Sequence, residues 1–344
     1  MTRGLEGWRG VGLGLVMLCG CGANDGAYSA SGGREGFDSA APSEMGGGAS
    51  AVGVGGGSQL TAGVWDDNVN YALFEDYLAD GARFFDPDEH AAAHARFDGE
   101  RPGHDRLDVA LVIDATGSMS DELSYLQSEL DAIATRVTAA YPDAETRWAL
   151  VVYRDEGDEY VTRVFDFDGV GSMRANLRAQ SAGGGGDYPE ASHDALREMT
   201  NLAWREETDV ARLGFWIADA PHHEQVENQW ANAVRTAGDL DVHVYPVASS
   251  GVDDRTERSM RSAAQLTGGR YVFLTDDSGI GGAHLEPTVP CYFVTLLDTA
   301  MLRVIDAEMT GTRTPPTEEQ VVRRSGEPDA DGVCVLEGGS ALAF

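Results

Sequence analysis

The chain has 344 residues, of which 25 are basic and 57 acidic, giving a formal net charge of −32 at pH 7. Such an imbalance excludes a general nucleic-acid binder, since phosphate backbones would be repelled, and it opposes adsorption to an anionic lipid surface. It suits cation binding, although a solvated acidic surface accounts for it equally well.

The first residues carry Arg3 and Arg9, then an apolar run from Val11 to Leu18, then Leu18-Cys19-Gly20-Cys21. The run is too short to span a bilayer and reads as the centre of a signal peptide. Leu at −3, Gly at −1 and Cys at +1 resemble a bacterial lipobox, with residues 1–20 removed and Cys21 lipidated; an ordinary secretory signal is the alternative. No aspartate follows Cys21, so the inner-membrane retention signal of enteric bacteria is absent. The expected location is therefore the bacterial cell envelope, lipid-anchored at the outer membrane, or outside the cell if Cys21 is not lipidated. Residues 21–59 are dominated by Gly, Ala and Ser, including Gly46-Gly47-Gly48 and Gly55-Gly56-Gly57. They cannot bury enough apolar area to offset their ordering entropy, and read as a flexible tether.

Residues 60–105 read as a lead-in segment. Trp65, Tyr71, Phe74 and Leu78 recur at near-helical spacing, which predicts a short amphipathic helix packed on the main body. His90 and His94 share a helical spacing, but position 91 is Ala, so the H-E-x-x-H zinc motif is incomplete.

From Leu107 strands and helices alternate, which predicts an α/β fold: a doubly wound, mostly parallel central sheet with helices on both faces, over residues 106–310. Leu107 to Ile113 is a short, β-branched apolar run expected at the centre of that sheet. It ends in Asp114-Ala115-Thr116-Gly117-Ser118, a carboxylate and two hydroxyls at alternate positions. A helix should follow, with Ser120 as N-cap and a stripe of Leu123, Leu126, Leu130, Ile133 and Val137. Strands are expected at Trp148–Tyr153 and, as an edge, Tyr160–Phe167, joined through an acidic turn at 154–159 that reads as a solvated hairpin tip. After a helix at 173–179 comes Ser181-Ala182-Gly183-Gly184-Gly185-Gly186-Asp187-Tyr188-Pro189-Glu190. Its glycines allow close backbone approach to a bound group, but no lysine exists in the chain to complete a phosphate loop. A helix at 191–202 leads to a strand at 211–217, which ends in Ala218-Asp219-Ala220-Pro221-His222-His223. Further strands are expected at 242–247 and 271–274 around a helix at 255–265, then a long helix at 291–308 and a tail, residues 311–344. Cys291 and Cys334, the two cysteines left in the body, could join in an oxidising compartment.

Hard oxygen ligands gathered at strand ends suit Mg²⁺, with Mn²⁺ or Ca²⁺ as alternatives. These loops resemble those of the von Willebrand factor A (vWA) domain. Asp114, Thr116 and Ser118 match the D-x-S/T-x-S pattern of its metal-ion-dependent adhesion site. Asp219 matches the family's third loop, where an aspartate acts through water. The loop 183–190 resembles the integrin β version, which implies Glu190 as a ligand and Asp187 as a candidate serving a neighbouring cation. The run Leu60-Thr61-Ala62-Gly63-Val64-Trp65-Asp66-Asp67-Asn68 resembles a leader found before vWA domains of bacterial surface proteins.

The resemblance implies a binding module, not an enzyme, in which an acidic side chain of a protein partner fills the cation's open position. A metal-assisted hydrolase is the alternative from another class, with Glu190 or His222 as the available general base. The last alternative is a scaffold subunit of an envelope complex with a purely structural metal.

Overall fold

A computed structural model describes residues 59–344; the lipobox, Cys21 and most of the tether lie outside the described residues. In chain order the elements are β1 (Thr61–Trp65), α1 (Tyr71–Ala79), α2 (Pro87–Phe97), β2 (Arg106–Asp114), α3 (Ser120–Ala140), β3 (Thr146–Tyr153) and β4 (Thr162–Asp168). There follow α4 (Val170–Arg178), α5 (Ser192–Thr200), β5 (Val210–Ala218), α6 (Glu227–Asp239), β6 (His243–Ala248), α7 (Asp254–Thr267) and β7 (Tyr271–Leu274). The chain then forms β8 (Tyr292–Leu296), α8 (Leu297–Thr310), β9 (Arg323–Ser325), β10 (Val333–Leu336) and β11 (Gly339–Leu342).

Nine strands build one sheet in the order β4-β3-β2-β5-β6-β7-β1-β8-β9. The contacts β3–β2, β2–β5, β5–β6 and β6–β7 are parallel, while β4 on one edge and β1, β8 and β9 on the other run antiparallel. Strand β2 sits inside the parallel part and shows why a continuous apolar run belongs there. Leu107, Val109, Leu111 and Ile113 pack with α3, α4 and α8 on one face, and Ala110 and Val112 pack with α5, α6 and α7 on the other. The expected α/β, doubly wound sheet with helices on both faces is what the chain forms.

Three expectations need correction. The long helix expected at 291–308 is a strand, β8, followed by α8, because the buried Tyr292-Phe293-Val294 run pairs its backbone with β1 on one side and β9 on the other. Ser120 is the first residue of α3 rather than its cap; a single 3₁₀ turn at Gly117–Met119 precedes it and Met119 holds the cap position. The single helix expected across Trp65, Tyr71, Phe74 and Leu78 holds only the last three, on α1; Trp65 instead ends β1, which enters the sheet between β7 and β8, and a second helix, α2, follows.

That insertion explains the polar run after Trp65. The Asp67 carboxylate accepts from the Trp65 indole at 3.0 Å and from Arg261 at 2.7 and 3.0 Å, and Asp66 pairs with Arg270 at 2.8 Å. Asn68 donates to the Gln265 carbonyl at 2.9 Å. Each polar group is buried and paired, so this leader sequence is a device for fastening β1 to α7. Gly63 is required by closeness alone: a Cβ there would stand 2.3 Å from the Phe273 ring.

The tail is fastened as well. β9 extends the sheet, β10 and β11 form a hairpin, and a disulfide joins Cys334 on β10 to Cys291 beside β8 with the Cα atoms 6.6 Å apart. Among the described residues no helix is long and apolar enough to cross a membrane.

Candidate metal centre

Strands β2 and β5 are parallel neighbours, so their C-terminal ends deliver Asp114 and Asp219 to the same rim of the sheet. Asp114 is fully buried at the end of β2. Its Oδ1 accepts the Thr116 amide at 2.9 Å and the Thr116 hydroxyl at 2.7 Å, and Thr116 Oγ1 lies 3.0 Å from Ser118 Oγ. Ser118 is exposed, so this row runs from the protein interior to solvent.

The Gly-rich loop closes over the row. Gly183 donates to the Ala115 carbonyl at 3.0 Å and Gly117 donates to the Gly184 carbonyl at 3.1 Å. Gly184 and Gly185 take φ of +78° and +70°, which side-chain-bearing residues resist. A Cβ on Gly185 would meet Glu190 Oε1 at 2.9 Å and the Thr116 Cβ at 3.2 Å, so Glu190 and Thr116 flank this one residue. Glu190 is buried and locked by a parallel bridge to His222, with its amide donating to the Pro221 carbonyl at 2.9 Å.

Asp114 Oδ2, Glu190 Oε2 and Asp219 Oδ1 are buried and have no hydrogen-bond partner. Burial, and then the charge of Asp219, pushes the Asp114 carboxyl up to about 7. Burial, followed by Asp114, Asp155 and Asp219, pushes Glu190 up to about 9, and burial also raises Asp219. Three acids that resist ionising together, each with an unused oxygen, are the donor set a hard cation would satisfy. Among the described residues no cluster of three or more His, Cys, Asp or Glu forms a metal cage by itself. Any cation here would rely on the Thr116 and Ser118 hydroxyls and on water, a coordination that Mg²⁺ accepts.

Asp187 is exposed on the loop and makes no hydrogen bond or ion pair among the described residues, so it is not drawn into this group. His222 is sealed between Trp230, stacked at 4.5 Å, and the edge of Phe84 at 5.5 Å. Burial, and then Arg255, lowers its imidazole to about 3, so it is neutral.

The turn at 154–159 departs from its expected role as a solvated tip. Arg154 is buried and donates to the Ala115 carbonyl at 3.1 Å and the Ser181 carbonyl at 2.8 Å. Asp158 Oδ2 accepts the Gly185 amide at 2.9 Å, and Asp155 holds His223 at 2.6 Å. The turn thus splints the glycine loop. Tyr188 is a further anchor, its hydroxyl accepting the Asp253 amide at 3.1 Å and lying 3.0 Å from the Gly251 carbonyl. The one signal for both was the density of hydrogen-bonding residues beside an otherwise unsupported glycine run.

A family model described as von Willebrand factor A domain matches residues 108–282, in agreement with this architecture. A protein of Acanthamoeba polyphaga mimivirus described as an ariadne-like RING finger protein is 26% identical over 187 residues, covering 49% of this chain and 18% of the viral protein. The chain therefore spans about a fifth of the length of that relative. Among solved structures, the pilus adhesin SpaC of Lactobacillus rhamnosus GG aligns at 10% identity with a TM-score of 0.39, covering 51% of this chain and 29% of the adhesin. With the family model spanning half its length, from the start of the central strand through all three site-bearing loops, this chain belongs to the von Willebrand factor A domain family.

Proposed function

We propose that the protein is a cell-envelope lipoprotein whose vWA domain binds a divalent cation, Mg²⁺ by preference, and through it an acidic group of a protein partner. Asp114, Thr116, Ser118 and Glu190 would hold the ion, with Asp219 acting through water. The observation that carries this reading is three buried, partnerless carboxylate oxygens, of Asp114, Glu190 and Asp219, on three loops at one rim of the sheet. Domains of this family generally mediate protein interactions, and the exposed Ser118 end of the row leaves the site open to a partner. Binding rather than hydrolysis is favoured because His222, one of the two bases a hydrolase could use, is enclosed by aromatic rings and turned away from solvent.

Two experiments test the proposal. Titration calorimetry with Mg²⁺ should give saturable binding that Asp114→Ala abolishes; equal heats for both proteins would end the metal reading. For anchoring, Cys21→Ser should release the protein from the membrane fraction or leave the precursor unprocessed. A mature N-terminus other than Cys21 would refute lipidation.

A further inference from the structure

On the face of the sheet that carries α3 and α8, a crevice of about 440 Å³ opens between these helices and the segment around Gln320. Arg303 forms part of its wall and is more than nine-tenths buried. A guanidinium stays charged in proteins, and burying one without a counter-charge is costly. Yet Arg303 Nε and Nη2 both donate to a single neutral acceptor, the Thr314 carbonyl, at 3.2 and 3.1 Å. Among the described residues no carboxylate forms an ion pair with it, and its face lies 4.9 Å from the Phe344 ring, which Arg270 also approaches. Burial, and then the nearby Arg313 and Arg270, disfavour its charge.

One turn further along α8, Asp306 lines the same crevice. Its Oδ1 accepts the Tyr141 hydroxyl at 2.5 Å, which leaves Oδ2 free, and it does not reach Arg303 as an ion pair. Gln320 uses its carbonyl oxygen to accept the Thr317 amide at 2.9 Å, so its NH₂ group remains available as a donor. The last charged wall residue, Arg136, is already neutralised by Asp298. The crevice is therefore lined by a guanidinium without a carboxylate partner, an amide donor and a carboxylate with one unused oxygen, and carries no net charge.

We propose that this crevice binds a small zwitterion, a free α-amino acid, with its carboxylate on Arg303 and Gln320 and its ammonium on Asp306. Unpaired charges of opposite sign on one helix turn are bridged by a ligand that carries both complements. A chain of net charge −32 repels free anions but exerts no net force on a neutral zwitterion. The site is independent of the proposed metal centre, which lies at the C-terminal ends of β2 and β5.

Calorimetry and thermal melting of the full chain, with EDTA present throughout, test this using free L-amino acids one at a time. Acetate and methylammonium at equal ionic strength serve as the two half-ligands. At least one amino acid should bind and raise the melting temperature, while neither half-ligand does. Asp306→Asn, which keeps the Tyr141 contact, and Gln320→Leu at the rim should each weaken binding about tenfold, equivalent to about 1.4 kcal/mol. Arg303→Gln should abolish it, and the other two variants keep the test decisive if that protein does not fold. Failure of every amino acid to bind, acetate binding as tightly as any amino acid, or an Asp306→Asn protein of undiminished affinity would each overturn the proposal.

Discussion

The Thr116 hydroxyl lies 2.7 Å from Asp114 Oδ1, and that contact, with the Thr116 amide at 2.9 Å, commits one oxygen of the carboxylate and leaves Oδ2 unpaired. The motif thus orients its own aspartate before any ligand arrives. The cost of that arrangement shows as pH dependence. Asp114, pushed to about 7, and Glu190, pushed to about 9, bind protons more readily folded than unfolded. Acids raised on folding stabilise the protein fully below their unfolded values, near pH 4, and lose that stabilisation as pH rises through the folded ones.

The first prediction follows from this sign. In EDTA, stability should fall between about pH 5 and pH 9, and saturating Mg²⁺ should offset most of the fall. The stabilisation by Mg²⁺ should reach about 2.7 kcal/mol at a hundredfold excess over the dissociation constant. Melting curves with and without Mg²⁺ at several pH values check it. Curves that coincide at pH 8 would show that the three carboxylates receive no cation.

The second prediction concerns Gly185. Alanine there would be strained by a φ of +70°, and its Cβ would press on Glu190 Oε1 and Thr116. A non-glycine residue in that conformation costs on the order of 1–3 kcal/mol, and the displacement should weaken Mg²⁺ binding about tenfold. Gly186→Ala is the control, since nothing lies within 4 Å of its added Cβ. Equal Mg²⁺ affinities for the two variants would refute the close-approach argument.

The third prediction lies at the far end of the strands from the Asp114 and Asp219 loops. Glu308, buried on α8, receives His243 Nδ1 at 2.9 Å, Arg270 at 3.2 Å, Arg101 at 3.4 Å and the Tyr245 hydroxyl. Burial opposes its charge, but His243 and the two arginines outweigh it and hold the carboxyl well below the usual range. Burial likewise opposes charge on His243, and Glu308 with Asp241 outweighs it and raises the imidazole. The Glu308 contribution is present above about pH 4 and lost only as pH falls through its depressed folded value; that of His243 is present below about pH 6 and lost as pH rises through its raised one. Glu308→Gln should cost about 3–5 kcal/mol at neutral pH, because the partners' charges are left buried. Urea denaturation measures it, and a cost under 1 kcal/mol would show that the cluster is solvated.

How much of this was legible in the residues varied with the physics involved. The parallel core was plain, because β2 and β5 are buried on both faces and must be continuously apolar. The Asp114-Thr116-Ser118 row was also plain as a pattern, since three oxygen-bearing side chains within five residues need no tertiary partner to be noticed. β8 was not, because Tyr292 to Leu296 runs without a turn signal into the equally apolar α8, and periodicity cannot divide a short strand from the helix it feeds. Nor was the splint from Asp158 to Gly185, whose ends are joined only by the fold. Nothing in the Asp66-Asp67-Asn68 run itself signals burial, and only the insertion of β1 beside β7 shows why it is buried.

The last prediction concerns the tail. The Cys291–Cys334 disulfide closes a loop with a sequence separation of 43, and both residues are buried in the core that β8, β10 and β11 share. Cross-linking a loop of that length restricts the unfolded chain enough to stabilise the native state by about 4 kcal/mol in the chain-entropy account. Apart from that bond, the tail is held to the body by β9 pairing with β8, by Asn70 exchanging hydrogen bonds with the Leu342 backbone at 2.8 and 3.0 Å, and by the buried Phe344 ring. Reduction should therefore loosen residues 311–344 first, and hydrogen exchange should rise in β9, β10 and β11 before it rises in β2 or β5. Cys334→Ser should lower the melting temperature, yet leave Mg²⁺ binding unchanged, because β2 and β5 place Asp114 and Asp219 without help from the tail. A reduced protein with uniform protection and an unaltered melting temperature would show that the bond adds nothing to the fold.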